Sequence, residues 1–105
     1  MITAEFFRSK DTFIGFHIFG HADYDEFGKD IVCAMVSSAA YMTANTITDV
    51  MHIPAEAKDK DGDMFVMTKR ENAERCQDLL KGLRLHMDNI AEQYEKNLKV
   101  IITEV

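Results

Sequence analysis

The stretch TFIGFHIFGHADYDEFGKDIVCAMVSSAAYM, residues 12–42, changes period in its middle, and that change sets the fold. From Thr12 to Gly20 the large residues alternate. Phe13, His17 and Phe19 share one face, and Ile14, Phe16 and Ile18 share the other. Period two predicts a strand. Both faces carry large apolar groups, so this strand is expected at the centre of a sheet and covered on both sides. From Asp30 the spacing turns helical, through Ile31, Met35, Ser38, Ala39 and Met42, in a run with no Gly or Pro. Asp30 is a natural N-cap, because its carboxylate can accept from the free amides of a first helical turn.

Working outward, MITAEFF places Ile2, Ala4 and Phe6 on one side and reads as a first strand. The turn at residues 9–11 is short enough for an antiparallel hairpin. Downstream, DVMHIP (49–54) reads as a short strand ending at the only proline. AKDKDGD (57–63) reads as a charged loop with a tight turn at Asp61-Gly62, and MFVMTK (64–69) as another strand. Glu71 to Tyr94 is expected to be one long amphipathic helix, with Ala73, Cys76, Leu80, Leu83, Met87, Ile90 and Ala91 inward. LKVIITEV closes the sequence as a strand. The order β-β-α-β-β-α-β implies a single α+β domain over residues 1–105: a two-layer or sandwich-like arrangement, mostly antiparallel, with two main helices.

Composition bounds the function. At 105 residues and 47% hydrophobic, the chain can build one packed core. With 18 acidic and 12 basic side chains its formal charge is −6, which repels phosphate backbones, so direct nucleic-acid binding is not expected. No stretch is expected to approach the eighteen or more apolar residues of a bilayer span, and MITAEFF lacks the features of a signal peptide, so no membrane association and a cytoplasmic location are expected. The two cysteines, Cys33 and Cys76, fit free thiols better than a disulfide scaffold.

Two residues carry candidate chemistry. With Asp30 as cap, Cys33 is the third residue of the helix, where open amides and the helix dipole favour a thiolate. His21 ends the second strand, and the loop between them, with Gly28 conformationally free, can bring imidazole and sulfur together. An imidazole beside a thiolate is the minimum equipment of a cysteine protease. On the residues alone, Cys33 as a small buried hydrophobe and His21 as an ordinary loop residue stand beside this reading, as does a noncatalytic dimeric interaction module. His17 reads as structural and Cys76 as core. His52 and His86 lack companions. A metal site from His17, His21 and Cys33 has no supporting ligand spacing, so no metal and no cofactor are expected.

The segment GHADYDEFGKDIVCAMVS, residues 20–37, resembles the signature of the ribosomal-processing cysteine protease Prp family. The matching positions are Gly20-His21-Ala22, Tyr24, Gly28, Asp30-Ile31-Val32-Cys33-Ala34 and Val36-Ser37. Asp23 stands where glycine is common, and Met35 where alanine is common. The resemblance implies an intracellular endopeptidase that removes a short N-terminal extension from a large-subunit ribosomal protein, after paired phenylalanines. It implies a Cys33–His21 dyad, a ribosomal protein precursor as peptide substrate, and a homodimer. Gly20, Ala22, Asp23, Tyr24 and Gly28 are then substrate-loop residues, and the loop a lid. Asp30 either caps the helix or also orients His21. Ser37, one turn beyond Cys33, is a supporting residue. First-turn amides near Cys33 are expected to donate to the oxyanion.

Overall fold

Ile2, Ala4 and Phe6 are buried as their alternation requires, and β1 (Ile2–Ser9) forms along them. After a turn at Lys10, β2 (Thr12–Gly20) returns antiparallel. The computed structural model describes residues 1–26 and 30–105. It continues with α1 (Ile31–Asn45), which runs on as a π-helical turn over Thr46–Val50. A hairpin follows, β3 (Ala55–Lys60) and β4 (Asp63–Thr68). Next come a short α2 (Arg70–Ala73), a 3₁₀ turn (Glu74–Cys76) and α3 (Gln77–Gln93), and β5 (Leu98–Glu104) closes the sheet.

The sheet order is β3-β4-β2-β1-β5. All pairs are antiparallel except β1 with β5, which is parallel because α3 crosses the sheet before β5 begins. One core unites the strand residues Phe6, Phe16, Ile18, Val66 and Leu98 with Val32, Val36, Ala40 and Ile47 below α1 and Leu80, Leu83, Met87 and Ile90 below α3. The result is the expected α+β fold with two main helices and a mostly antiparallel sheet.

Four local expectations are corrected. First, β2 is central, but the helices cover one face only. The other face carries Phe7, His17, Phe19 and Phe65 in ring contact, with centroids 4.5 to 5.9 Å apart. Phe13 joins the helix-covered face, because the register shifts between Phe7 and Arg8 and a bulge at Ile14 turns it inward against Phe6. The side chain of Gln77 bridges this bulge, accepting from the Phe13 amide at 2.9 Å and donating to the Phe13 carbonyl.

Second, DVMHIP is not a strand. The helical stripe Val36, Ala40, Thr43, Ala44 continues to Ile47, whose burial draws the helix on past Asn45. The third strand is instead the charged segment Ala55–Lys60. It lies at the sheet edge, where charges are tolerated and protect the edge from pairing with other chains. The tight turn at Asp61-Gly62 joins it to β4 as expected.

Third, the helix expected over 71–94 breaks at Glu74–Cys76, where the Cys76 thiol donates to the Ala73 carbonyl at 3.3 Å. Cys76 is buried, and desolvation pushes its thiol up from the ordinary value.

Fourth, Ile31–Val50 is long and apolar enough to meet the length and composition of a bilayer-spanning helix. Its inner stripe is packed on the sheet.

Candidate active site

Three elements meet at one end of the sheet: the exit of β2, the start of α1 and the β3–β4 turn. At the first, Gly20 pairs with Ile2 and has φ +95. A Cβ there would lie 2.4 Å from the Met1 carbonyl oxygen, so glycine is required on both counts. Ala22, two residues on, is fully buried, and its carbonyl accepts from the Asn97 side chain at 2.9 Å. His21 is therefore held between two fixed neighbours while its own side chain stays exposed.

At the second element, Asp30 is extended and begins α1. Its Oδ1 accepts from the Cys33 amide at 3.0 Å, and its Oδ2 accepts from the Tyr24 amide at 3.0 Å and the Asp25 amide at 3.4 Å. Partial desolvation works against the charged form, but donation from the Cys33, Tyr24, Asp25 and Val32 amides outweighs it and holds the carboxyl below its ordinary value of 3.8. Asp30 thus caps α1 and clips the loop after His21 onto it. Among the described residues its hydrogen bonds run to backbone amides, and none runs to His21.

A cleft of about 830 Å³ lies between these elements, and Gly20, His21, Asp30, Cys33 and Ser37 all line it. Asp23 lines it too, at φ +57. Cys33 is half-buried against the core, and Ser37 is exposed one turn further along α1. Two of the expected loop residues point elsewhere. Ala22 is part of the core, and the Tyr24 ring stands edge-on to Tyr94 with centroids 5.4 Å apart. Gly28 lies outside the described residues.

The expected oxyanion donors need correction. The Cys33 amide bonds to the Asp30 side chain, and the Ala34 amide bonds to the Asp30 carbonyl at 3.1 Å. Neither is open to a substrate. The sequence reading also missed Asp61 and Gly62, which line the cleft from the β3–β4 turn. Their turn is legible in the sequence, but its position beside α1 depends on β4 pairing with β2.

The profile of the family described as cysteine protease Prp matches residues 1–99. The chain belongs to this family. It is a cysteine protease by that membership. A ribosomal processing cysteine protease Prp of Bacillus subtilis (strain 168) is 29% identical over 107 residues, covering 95% of this chain and 96% of the relative. Its counterpart in Staphylococcus aureus (strain Mu50 / ATCC 700699) is 28% identical over 83 residues, covering 77% of this chain and 78% of that one. Among solved structures, SMU.848 from Streptococcus mutans superposes with a TM-score of 0.77 at 26% identity, covering 100% of this chain and 96% of that one. The essential ribosomal processing protease Prp from S. aureus, crystallised with a covalently linked product peptide, superposes with a TM-score of 0.88 at 24% identity. That match covers 98% of this chain and 100% of the other, and speaks for the fold.

Proposed function

We propose that this family member is a cytoplasmic endopeptidase that removes a short N-terminal extension from a large-subunit ribosomal protein, cleaving after paired phenylalanines. The observation that carries the reading is that His21 and Cys33, from the two ends of one loop, line one cleft whose helix start is fixed by Asp30. Cys33 is the nucleophile and His21 the general acid and base. The Cys33 thiolate adds to the scissile carbonyl carbon. The C–N bond then breaks as imidazolium His21 gives its proton to the leaving amine, which leaves a thioester. Water gives a proton to His21 and attacks the thioester. The C–S bond breaks, releasing the thiolate and the new carboxylic acid, which gives its proton to solvent.

Ser37 presents its hydroxyl to the same cleft as a substrate hydrogen-bond partner. Ile2, Ile18 and Val36 give the cleft an apolar floor suited to phenylalanine, and Asp23 and Asp25 an acidic rim suited to a basic chain. The open sheet face bearing Phe7, Phe19 and Phe65 supports a homodimer. The net charge of −6 argues against a direct role for nucleic acid, and the use of the α1 stripe in the core argues against a membrane. The reaction needs no cofactor. The test is mass spectrometry of an extended ribosomal N-terminus incubated with wild type and with Cys33→Ala. One cut after the paired phenylalanines, absent with Cys33→Ala, is expected. An uncut peptide overturns the reading.

A further inference from the structure

One wall of the cleft comes from neither element that carries the dyad. Strand partners Lys60 and Asp63 leave only Asp61 and Gly62 between β3 and β4. Their φ values of +52 and +81 are the left-handed pair of a tight hairpin turn matched to strand twist. Asp tolerates that conformation, and Gly62 has nothing within 4 Å of where a Cβ would sit, so conformation and not crowding favours the glycine.

The turn is tied on both sides. Two residues before Asp61, the Asp59 carboxylate accepts from the Tyr41 hydroxyl of α1 at 2.6 Å. That bond, with desolvation and charge behind it, raises the Tyr41 phenol above its ordinary value. Two residues after Asp61, Asp63 meets the His17 ring of β2 at 2.7 Å. The turn is thus fixed to the helix that carries Cys33 and to the strand that delivers His21.

The carboxylates facing the cleft are not equivalent. Asp30 has both oxygens on backbone amides, Asp23 pairs with the Met1 ammonium at 3.3 Å, and Asp25 accepts from the Glu26 amide at 2.7 Å. Asp61 has no hydrogen bond or ion pair among the described residues. Among those residues, no lysine or arginine lines the cleft. Among the described residues the cleft therefore presents, at Asp61, a carboxylate without a partner of its own, on a turn tied at both ends.

We propose that Asp61 is a substrate-selecting residue that receives the lysine or arginine side chain of a peptide lying in the cleft. This rests on the reading of the cleft as the proteolytic site. A carboxylate on a two-residue turn loses little freedom on pairing, and the peptide's backbone is already held at the dyad. The pairing therefore acts on substrate choice and not on the chemical step.

The experiment walks a single lysine, and in parallel its uncharged counterpart norleucine, along both sides of the cleaved bond in a peptide with paired phenylalanines. The ratio of kcat/KM for lysine over norleucine is read at each position in wild type and in Asp61→Asn. Asparagine suits the left-handed turn and removes the charge with almost no change of shape. Wild type is expected to prefer lysine about two- to fivefold at one position, the size of an exposed ion pair. The preference resides in KM, shrinks with added salt, and falls to unity in Asp61→Asn at that position only. The same ratio in both proteins overturns the proposal.

A parallel arm measures binding of the same peptide pairs by fluorescence anisotropy to Cys33→Ala, with and without Asp61→Asn. If wild type cuts no peptide, the proteolytic reading fails, and the binding ratio still decides for or against Asp61. Should Asp61→Asn not fold, a glutamate and glutamine pair at the same position serves in wild type. Glutamate must then be the poorer residue, and equal values overturn the proposal.

Discussion

The Asp30 carboxylate and the Cys33 amide are joined by a 3.0 Å hydrogen bond, and the second oxygen of the same carboxylate holds the chain three residues past His21. One side chain thus sets the relation between the two ends of the loop that joins His21 to Cys33.

Replacing Asp30 separates these jobs. Asp30→Ala removes the cap and is expected to cost about 1 kcal/mol of stability, whereas Asp30→Asn still accepts from the Cys33 amide and costs less. The pH dependence follows from the depressed carboxyl. A group whose folded pKa lies below its unfolded value adds stability above the ordinary carboxylate range and loses it as pH falls through the folded value. Thermal melts of wild type should therefore weaken below about pH 4, and those of Asp30→Asn should weaken less over the same window. Equal melting temperatures of all three proteins at neutral pH would rule out the capping role.

Cys33 and Cys76 should behave as different thiols. Cys33 is half-buried at a cleft, while Cys76 is sealed in the core with its thiol pushed up. Iodoacetamide at neutral pH is expected to add once, at Cys33, and to reach Cys76 only on unfolding. Cys33→Ala and Cys33→Ser should fold and yet lose peptide cleavage, since a hydroxyl is far less readily ionised beside the same base. Peptide mapping of the adduct checks the first claim. Near wild-type turnover by Cys33→Ser would falsify the second.

His21 and His17 lie four residues apart and face different tasks. His21 lines the cleft, and His17 pairs with Asp63 at 2.7 Å on the open sheet face. His21→Ala is expected to lower kcat/KM by about 10²- to 10⁴-fold with little change in melting temperature. His17→Ala should leave the rate of Cys33 alkylation unchanged and act mainly on stability, through the lost ring contacts with Phe19 and Phe65 and the lost bond to Asp63. Alkylation rates against pH for both variants decide it. If only His17→Ala slows the thiol, the histidines have been assigned in reverse.

Much of this site is local, and local features were legible. Asp30, Cys33 and Ser37 follow from one helix start, and Gly20 with His21 from one strand end. The Asp61-Gly62 turn is visible in the sequence, but its place in the cleft is not, because strand pairing is a long-range property. The charged β3 was hidden for a related reason. Glu56, Lys58, Asp59 and Lys60 are poor strand formers, and the β4 ladder overrides that preference at an edge that does not need apolar faces. DVMHIP misled in the opposite direction, since Val50 and Ile53 suggest a strand while the burial of Ile47 extends the helix.

The last expectation concerns substrate and assembly together. A peptide bearing paired phenylalanines before the cleaved bond should be cut faster than one with both changed to alanine, because Ile2, Ile18 and Val36 offer an apolar surface to the rings. Losing two buried aromatic groups, at about 1.5–3 kcal/mol each if fully buried, predicts a fall in kcat/KM of at least about tenfold. Mass spectrometry of the products gives the position of the cut, and initial rates on the two peptides give the ratio. Light scattering at the assay concentration should return twice the chain mass of 12.0 kDa. Replacing Phe65, which touches both Phe7 and His17 on the open face, with glutamate should lower that mass toward one chain. Equal rates on the two peptides would remove the aromatic subsites, and a single-chain mass for wild type would remove the dimer, each without touching the other.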